Sequence, residues 1–539
     1  MSTINRRTLL SLTGAATFGM AACSTSGSGN GGTGGGAGGG DVAPPNHVPF
    51  GDVTPDLPGN EAGVINGYLS YPQPPVVRDG FPLPETAPVT ALIQGDPPPV
   101  PPEKNPVYDH FKEQAGNDFD ATAIISTEYN DRFQVTMASN DIPDLVQIGS
   151  VPEVEKLLEA RFTDLTEVLA GSSIEQYPAL ASFTDANWDV GRVNGRLFGI
   201  PQPRPPAGRV LLTRGDLLAE HGMSNAPELS DGEDFVELLT TLNNPGEQVF
   251  ALGGDPRVWL LQALREMHGT PYVWDVRDGK FVHEMMTEET TAALSEGVKI
   301  VQAGLTHPNA FTEPGANHGW YRSGVTPLLF QGFVMWSNYA RSNPEFDTGV
   351  IRLPNWDGGG KAPVFRGAAG YGAYVAIAQQ ESEERLHEIL RIVDYIASPF
   401  GTQQYLDIAY GLEGQTFEFV DGEPTFIEGK SGEALTGIPY IGGGSQNVLY
   451  IPGRSDVVEL QHAYLSEAIP SGTSNASSGL FSETSSSDGA PWNRRRKDLE
   501  RSILLGEQPI SAWEEFTAQW RADVGDKIAG ELEEAAAAG

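Results

Sequence analysis

Val89-Thr90-Ala91-Leu92-Ile93, running out into Gln94-Gly95-Asp96, is the stretch from which the fold can be read. Its short, largely apolar run stops at a polar turn, the pattern of a buried strand. Asn105 to Ala115 reads as a helix: Asn105 can cap it, Pro106 suits the first helical position, and Val107, His110 and Phe111 share a face. Phe119–Ser126 then reads as a strand and Asn130–Ser139 as a helix. Asp144-Leu145-Val146-Gln147-Ile148 is a short buried strand, with helices after it at Pro152–Arg161 and near Leu165. Strands alternating with helices across short connections predict an α/β fold with a doubly wound lobe. Its ligand crevice belongs beyond the C-terminal ends of the strands.

Hairpins punctuate the rest of the chain. Arg192-Val193-Asn194-Gly195-Arg196-Leu197-Phe198 has an Asn-Gly turn, two residues that tolerate positive φ. Val276–Phe281 and Phe419–Glu423 repeat the device with Asp-Gly, and all three read as surface hairpins. Longer helices are expected at Glu233–Leu242, Arg257–His268, Glu288–Ala303, Ser382–Ala397, Thr402–Ala409, Val457–Ala468, Arg494–Leu504 and Ile510–Ala535. Ser471–Gly489 reads as a polar loop between helices.

On the N-terminal side, residues 24 to about 48 are Ser/Gly-rich and then Pro-rich, and Tyr71–Pro102 is a second Pro-rich stretch. Residues 24–88 are therefore expected to be a flexible tether. Gly-x-Gly-x-x-Gly matches inside Gly31–Gly40 follow no strand and open no helix, so they imply no nucleotide site. Residues 1–23 read as an export signal: Asn5-Arg6-Arg7, an apolar run from Ser11 to Met20, then Ala21-Ala22-Cys23. Arg6-Arg7 resembles a twin-arginine signal. Met20-Ala21-Ala22-Cys23 resembles a bacterial lipobox, in which the cysteine is lipidated. Cys23 is the only cysteine of the chain, so packing alone must hold the fold.

Composition narrows the function. Asp and Glu number 71 against 34 Lys and Arg, a formal net charge of −37. Removing the signal takes away two arginines and no acid, so the mature chain is more negative still. Such a field opposes nucleic acid and anionic lipid surfaces, so no nucleic-acid partner is expected. No stretch after the signal is apolar for long enough to cross a bilayer, which leaves the lipid anchor as the expected membrane attachment.

In this order the segments resemble the extracellular solute-binding lipoproteins of ABC importers, closest to the sugar- and oligosaccharide-binding group. The matching stretches are Tyr129-Asn130-Asp131-Arg132-Phe133, Met137–Val146, Val193–Gln202, Val210–Leu218, Gly370–Ile377 and Ile396–Gly401. The resemblance implies two α/β lobes joined by crossing strands, a type II periplasmic-binding-protein-like architecture with extra C-terminal helices. Lobe 1 is expected from 89–206 plus 375–440, and lobe 2 from 207–374 plus 441–539. Val210–Arg214 and Tyr374–Gln379 would be the crossing strands, with Gly367, Gly370 and Gly372 available to absorb hinge rotation. The resemblance further implies a monomer on the outer face of the cytoplasmic membrane, with a carbohydrate ligand and ABC permease subunits as partners. It implies no catalytic residue, cofactor or metal.

A sugar offers hydroxyl rims and apolar C–H faces, so its site needs aromatic platforms and planar polar groups. The aromatic candidates are Trp259, Trp274, Trp320, Trp336, Tyr339 and Tyr371. Phe333–Tyr339 reads as a short strand that would deliver Trp336 and Asn338 to a cleft. Polar candidates are Asp96 and Glu128 after the first two strands, Arg204 held between prolines, and Arg366 before the glycines. Two other classes stay open at this point: a secreted glycosidase or lyase, and a peptide- or lipid-binding adaptor. Glycosidases need two opposed carboxylates, which so acidic a chain can always supply, yet no catalytic motif emerges.

Overall fold

The computed structural model describes residues 42–538 apart from 140, 150, 152, 368 and 444–446, and the side chains at 371–373 also lie outside that description. Cys23, the twin-arginine pair and the lipobox fall outside the described residues. In chain order the strands are β1 (Val89–Gln94), β2 (Phe119–Ile124), β3 (Leu145–Gln147), β4 (Arg192–Val193), β5 (Arg196–Leu197), β6 (Gly199–Pro203), β7 (Arg209–Thr213), β8 (Trp274–Arg277), β9 (Lys280–His283), β10 (Leu328–Gly332), β11 (Gly349–Ile351), β12 (Gly370–Ile377), β13 (Phe417–Val420) and β14 (Glu423–Phe426).

The first sheet has the order β2-β1-β3-β12-β6. β1, β2 and β3 are parallel, Val89 lying opposite Phe119 and Ala91 opposite Leu145. β12 runs antiparallel to β3 and to β6. The Asn105 side chain accepts the Val107 N–H, Pro106 opens the helix Pro106–Ala115, and Gly116 ends it at φ 66°. The next helix, Ser126–Ala138, begins earlier than expected and buries Tyr129 and Phe133 against the sheet. On the other face Ile93, Phe119, Trp188, Ile200 and Val393 form one core. The three expected hairpins are β4–β5, β8–β9 and β13–β14.

The second sheet is smaller and entirely antiparallel, with β7 between β10 and β11. Helices Gly232–Leu242, Leu260–Met267 and Glu288–Gln302 cover one face, through Leu211, Leu239, Leu264 and Phe330. Helices Val334–Ser342 and Ser455–Ala468 cover the other, through Leu212, Leu329, Trp336 and Leu465. This lobe is therefore not doubly wound around parallel strands.

The crossings also differ from expectation. β7 and β12 are apolar on both faces, and strands of that kind belong inside a ladder. They are sheet members rather than crossing strands. The lobes are joined by their flanks: residues 204–208 from β6 to β7, 352–369 from β11 to β12, and 442–454 back to the helix at Ser455. The first two run side by side, with Arg204 N–H donating to Ala369 O at 3.3 Å. Gly208 makes this approach feasible: it sits at φ 64°, and a Cβ there would lie 2.2 Å from Phe365 O.

Residues 42–88, expected as tether, are packed on the body instead. Tyr68 and Tyr71 enter a cluster with Phe400 and Tyr405, and Arg78 pairs with buried Asp394. Between these anchors, residues 57–67 form a hairpin-like excursion closed by Leu57 and Gly67. The Ser471–Gly489 loop is likewise shorter than expected, because Ser482 caps a helix Glu483–Leu504 that tolerates Pro491 inside it. The last helix runs without a break from Ser511 to Ala538, with a π-helical turn at Arg521–Gly525. Arg265 and Arg496, with Glu284 and Glu500, tie these C-terminal helices to lobe 2 through buried ion pairs.

Candidate functional site

The register places the C-terminal ends of β1 and β3 beside the end of β6 and the start of β12: Val375 lies opposite Gln147, and Gly370 opposite Pro203. This edge of lobe 1 faces the crossings. Gln147 is 1% exposed; its Oε1 accepts the Gln94 N–H at 2.9 Å, while its Nε2 has no partner. Gln202 donates to the carbonyl of Tyr440. That contact fixes the Tyr440 ring over Gly95, where a Cβ would lie 3.7 Å from it. The ring is 38% exposed, a large aromatic left open at a crevice edge. Asp96 beside it and Glu128 on the first helical turn are also exposed.

The facing edge of lobe 2 is made by the start of β7 and the end of β10, Arg209 lying opposite Gly332. Leu252 bridges Leu328 in parallel, so Gly253-Gly254 extends the edge beyond the sheet. Two tryptophans pack against these glycines. A Cβ on Gly254 would meet Trp259 at 2.8 Å and one on Gly253 would meet Trp320 at 3.2 Å. The absence of side chains at 253 and 254 is thus what lets both rings stand there. His307 stacks on Trp320 with centroids 3.7 Å apart, and the Arg209 guanidinium lies 4.5 Å from the Trp259 centroid. Arg209 Nη1 donates to Val258 O at 2.6 Å.

Next to this platform, His318 Nδ1 meets the Tyr339 hydroxyl at 2.7 Å and its Nε2 meets Gln331 Nε2 at 3.2 Å. Burial pushes the His307 and His318 imidazoles below their ordinary pKa, so both are neutral hydrogen-bonding groups at neutral pH. Asp255 is neutralised by Arg257 at 2.5 Å. The carboxyl of Glu266 sits behind the edge, buried, accepting the Phe365 N–H and the Gln262 amide, each at 3.1 Å. Desolvation raises its pKa to about 7.

Of the residues singled out from sequence, Trp259 and Trp320 come together on the lobe 2 edge, with Tyr339 behind them. Arg204 is half-buried on the first crossing, and Asp96 and Glu128 are at the lobe 1 edge. Trp336 is not at a strand end: Val334–Ser342 is a helix that turns Trp336 inward, 4% exposed, its Nε1 donating to Thr348 O at 2.9 Å. Trp274 is buried in the β8–β9 hairpin against His283 and Trp520. Asn338 Nδ2 contacts Met335 Sδ on its own helix, and Arg366 donates to Ala62 O in the N-terminal hairpin at 2.9 Å. The Tyr371 side chain lies outside the described residues. Sequence reasoning missed Arg209, Gly253-Gly254, His318, Gln331 and Gln147, and named Tyr440 only as one aromatic among many. The Gly-Gly pair ahead of Trp259 was the available signal.

Aromatic faces flanked by amides and neutral imidazoles make a surface for a polar, ring-shaped guest. No family model matches the sequence. Two curated proteins of Bacillus subtilis (strain 168) match over about four fifths of this chain. Lipoprotein LipO is 21% identical over 466 residues, 81% of this chain and 89% of its own. The polygalacturonan/rhamnogalacturonan-binding protein YtcQ is 20% identical over 453 residues, 80% of this chain and 88% of its own. Among solved structures, the N-glycan transport solute binding protein NgtS of Streptococcus pneumoniae, in complex with Man1GlcNAc, superposes with a TM-score of 0.62 at 14% identity. That match covers 83% of this chain and 98% of NgtS. The chain has the solute-binding-protein fold. Among the described residues no helix is long and apolar enough to cross a membrane.

Proposed function

We propose that this chain is the extracytoplasmic binding component of an ABC importer: it holds a carbohydrate between its lobes and hands it unaltered to membrane-spanning permease subunits. The observation that carries the reading is the Trp259/Trp320 pair standing over Gly253-Gly254 in a solute-binding fold. Two flat apolar faces separated by a side-chain-free floor suit the C–H faces of consecutive sugar rings. Gln331 and His318, half-buried beside the platform, offer polar atoms to hydroxyl rims. The ligands named for YtcQ and NgtS are carbohydrates, which supports the same class here. Cys23, once lipidated, would anchor the protein at the outer face of the membrane. Closure is driven only by the ligand's greater affinity for the closed arrangement.

The test is a glycan panel against the mature protein, followed by thermal unfolding and titration calorimetry. A ligand that binds only the folded state raises the unfolding temperature. Binding with no release of reducing ends or unsaturated products is the expected result. Steady turnover of any glycan would overturn it in favour of an enzyme, and binding of peptides or lipids with no response to sugars would also overturn it.

A further inference from the structure

The charge of this chain is not spread evenly. Residues 190–215, 314–344, 358–380 and 434–455 contain no aspartate or glutamate, although the chain has 71. The first and fourth of these runs hold the first and third crossings, the third run holds residues 358–369 of the second crossing, whose start carries Asp357, and the second run holds β10, Trp320, His318 and Gln331. Most of the crossing backbone and the β10 edge are therefore acid-free in a strongly acidic protein, with Asp96 and Glu128 exposed at the lobe 1 edge and Asp255 paired with Arg257 beside the platform. Several basic residues within these runs are neutralised locally, Arg192 by Asp189, Arg196 by Asp164 and Glu159, Arg214 by Asp216, Lys361 by Glu228, and Arg454 by Asp456, while Arg322 and Arg341 are exposed to solvent.

Arg209 is treated differently. It is half-buried at the junction, laid over Trp259, and among the described residues no carboxylate lies within ion-pair distance of it. Among the described residues its one side-chain hydrogen bond is to a carbonyl, from Nη1, which leaves the Nε and Nη2 donors. A guanidinium removed from water without a counter-charge is costly, and burial lowers its pKa here. The nearest acid, Glu266, is engaged by Phe365 N–H and Gln262 and is itself disfavoured as an anion by burial. The remaining donors form the planar fork that matches a carboxylate.

We infer that the carbohydrate taken by this site is anionic, a uronate-containing oligosaccharide whose carboxylate is received by Arg209 while its ring lies against the tryptophan platform. This rests on the carbohydrate-binding reading above. The net charge of −37 repels such a ligand at long range, so the local potential around Arg209 rather than the net charge decides recognition.

The experiment titrates trigalacturonate and its carboxyl-reduced, neutral counterpart into the mature protein, together with Arg209→Gln and Arg209→Lys. Expected are at least a 10-fold preference for the uronate in the wild type and a weakening of that preference by salt. Arg209→Gln should lose it, the uronate affinity falling further than the neutral one, and Arg209→Lys should keep part of it. Equal or better binding of the neutral trimer, or equal losses for both ligands in Arg209→Gln, overturns the inference and leaves carbohydrate binding standing. If neither trimer nor any other glycan binds, the underlying reading falls as well. Should Arg209→Gln fail to fold, the wild-type preference, its salt dependence and the Arg209→Lys variant still decide the matter.

Discussion

Glu266→Gln tests the electrostatics behind the site. The wild-type carboxyl is buried, and desolvation lifts its pKa from 4.5 to about 7. Arg209 and Arg352 lie close enough to oppose this rise but not to cancel it. The folded protein therefore binds a proton more tightly than the unfolded chain does. Between about pH 4.5 and 7 the native state carries that proton and the unfolded state does not, so stability falls as pH rises across this window. Above the window the full cost is present. At about 1.4 kcal/mol per unit, it amounts to roughly 3 kcal/mol.

Glutamine keeps an oxygen for the Phe365 N–H and cannot ionise. Denaturant unfolding of both proteins at pH 4, 5, 6, 7 and 8 should therefore show near-equal stability at the acid end, with the variant pulling ahead by roughly 3 kcal/mol above pH 7. Subtracting one protein from the other removes groups that titrate in the same range. His283, for example, is depressed to about 4 by burial and contributes stability that is lost as pH falls from about 6.5 toward 4. A difference that stays flat between pH 4 and 8 would refute the argument. So would a variant that is less stable at alkaline pH.

Three further outcomes are expected. Trp259→Ala and Trp320→Ala should each weaken glycan binding at least about 10-fold, about 1.4 kcal/mol, in calorimetric titration, with the unfolding temperature little changed because neither ring is fully buried; unchanged affinity in both removes the platform. Val64→Ala, at a site 3% exposed against Ala207, Leu449 and Val458, should cost roughly 1–3 kcal/mol in denaturant unfolding, whereas a true tether residue would cost nothing. Gly208→Ala should be destabilising by more than about 1 kcal/mol, since its φ is 64° and its Cβ would collide with Phe365 O; wild-type stability would show that the first two crossings are not held side by side.

What the sequence made legible was local. Asn105-Pro106 and Gly116 mark both ends of a helix within a dozen residues, and β1, β2 and β3 are neighbours in chain and space alike. Lobe 2 resisted because β7 pairs with β10 and β11 across intervals of more than 100 residues filled mostly by helices. Nothing local specifies that register. Phe333–Tyr339 was misread by period: Trp336, Tyr339 and Ala340 recur at helical spacing and are the buried positions of a helix. The cause that sent Trp336 inward also removed Asn338 from the cleft. At the site, tryptophans could be counted but not sorted, since a core ring and a platform ring share one composition. Trp259 and Trp320 are separated from Trp274 and Trp336 only by which backbone they stand over.

The N-terminal segment shows how a composition argument fails and what replaces it. Prolines and glycines between 42 and 88 exclude regular structure, yet they do not prevent isolated apolar side chains from filling grooves that another part of the chain has built. Residues 57–67 do this at the mechanical centre of the molecule. Gly63 packs on Pro206 of the first crossing, Ala62 O takes the Arg366 guanidinium of the second, and Leu449 of the third exchanges hydrogen bonds with Asn66 and Tyr68. Pro58 O meets His462 on the lobe 2 helix at 3.0 Å, while Tyr68 and Tyr71 hold the next residues to lobe 1. One hairpin therefore touches every connection between the lobes. Any change in the angle between them must be shared by its contacts or must break them. Any opening and closing of the lobes in the proposed capture therefore involves these four strands of backbone together, not the glycines beside β12 alone.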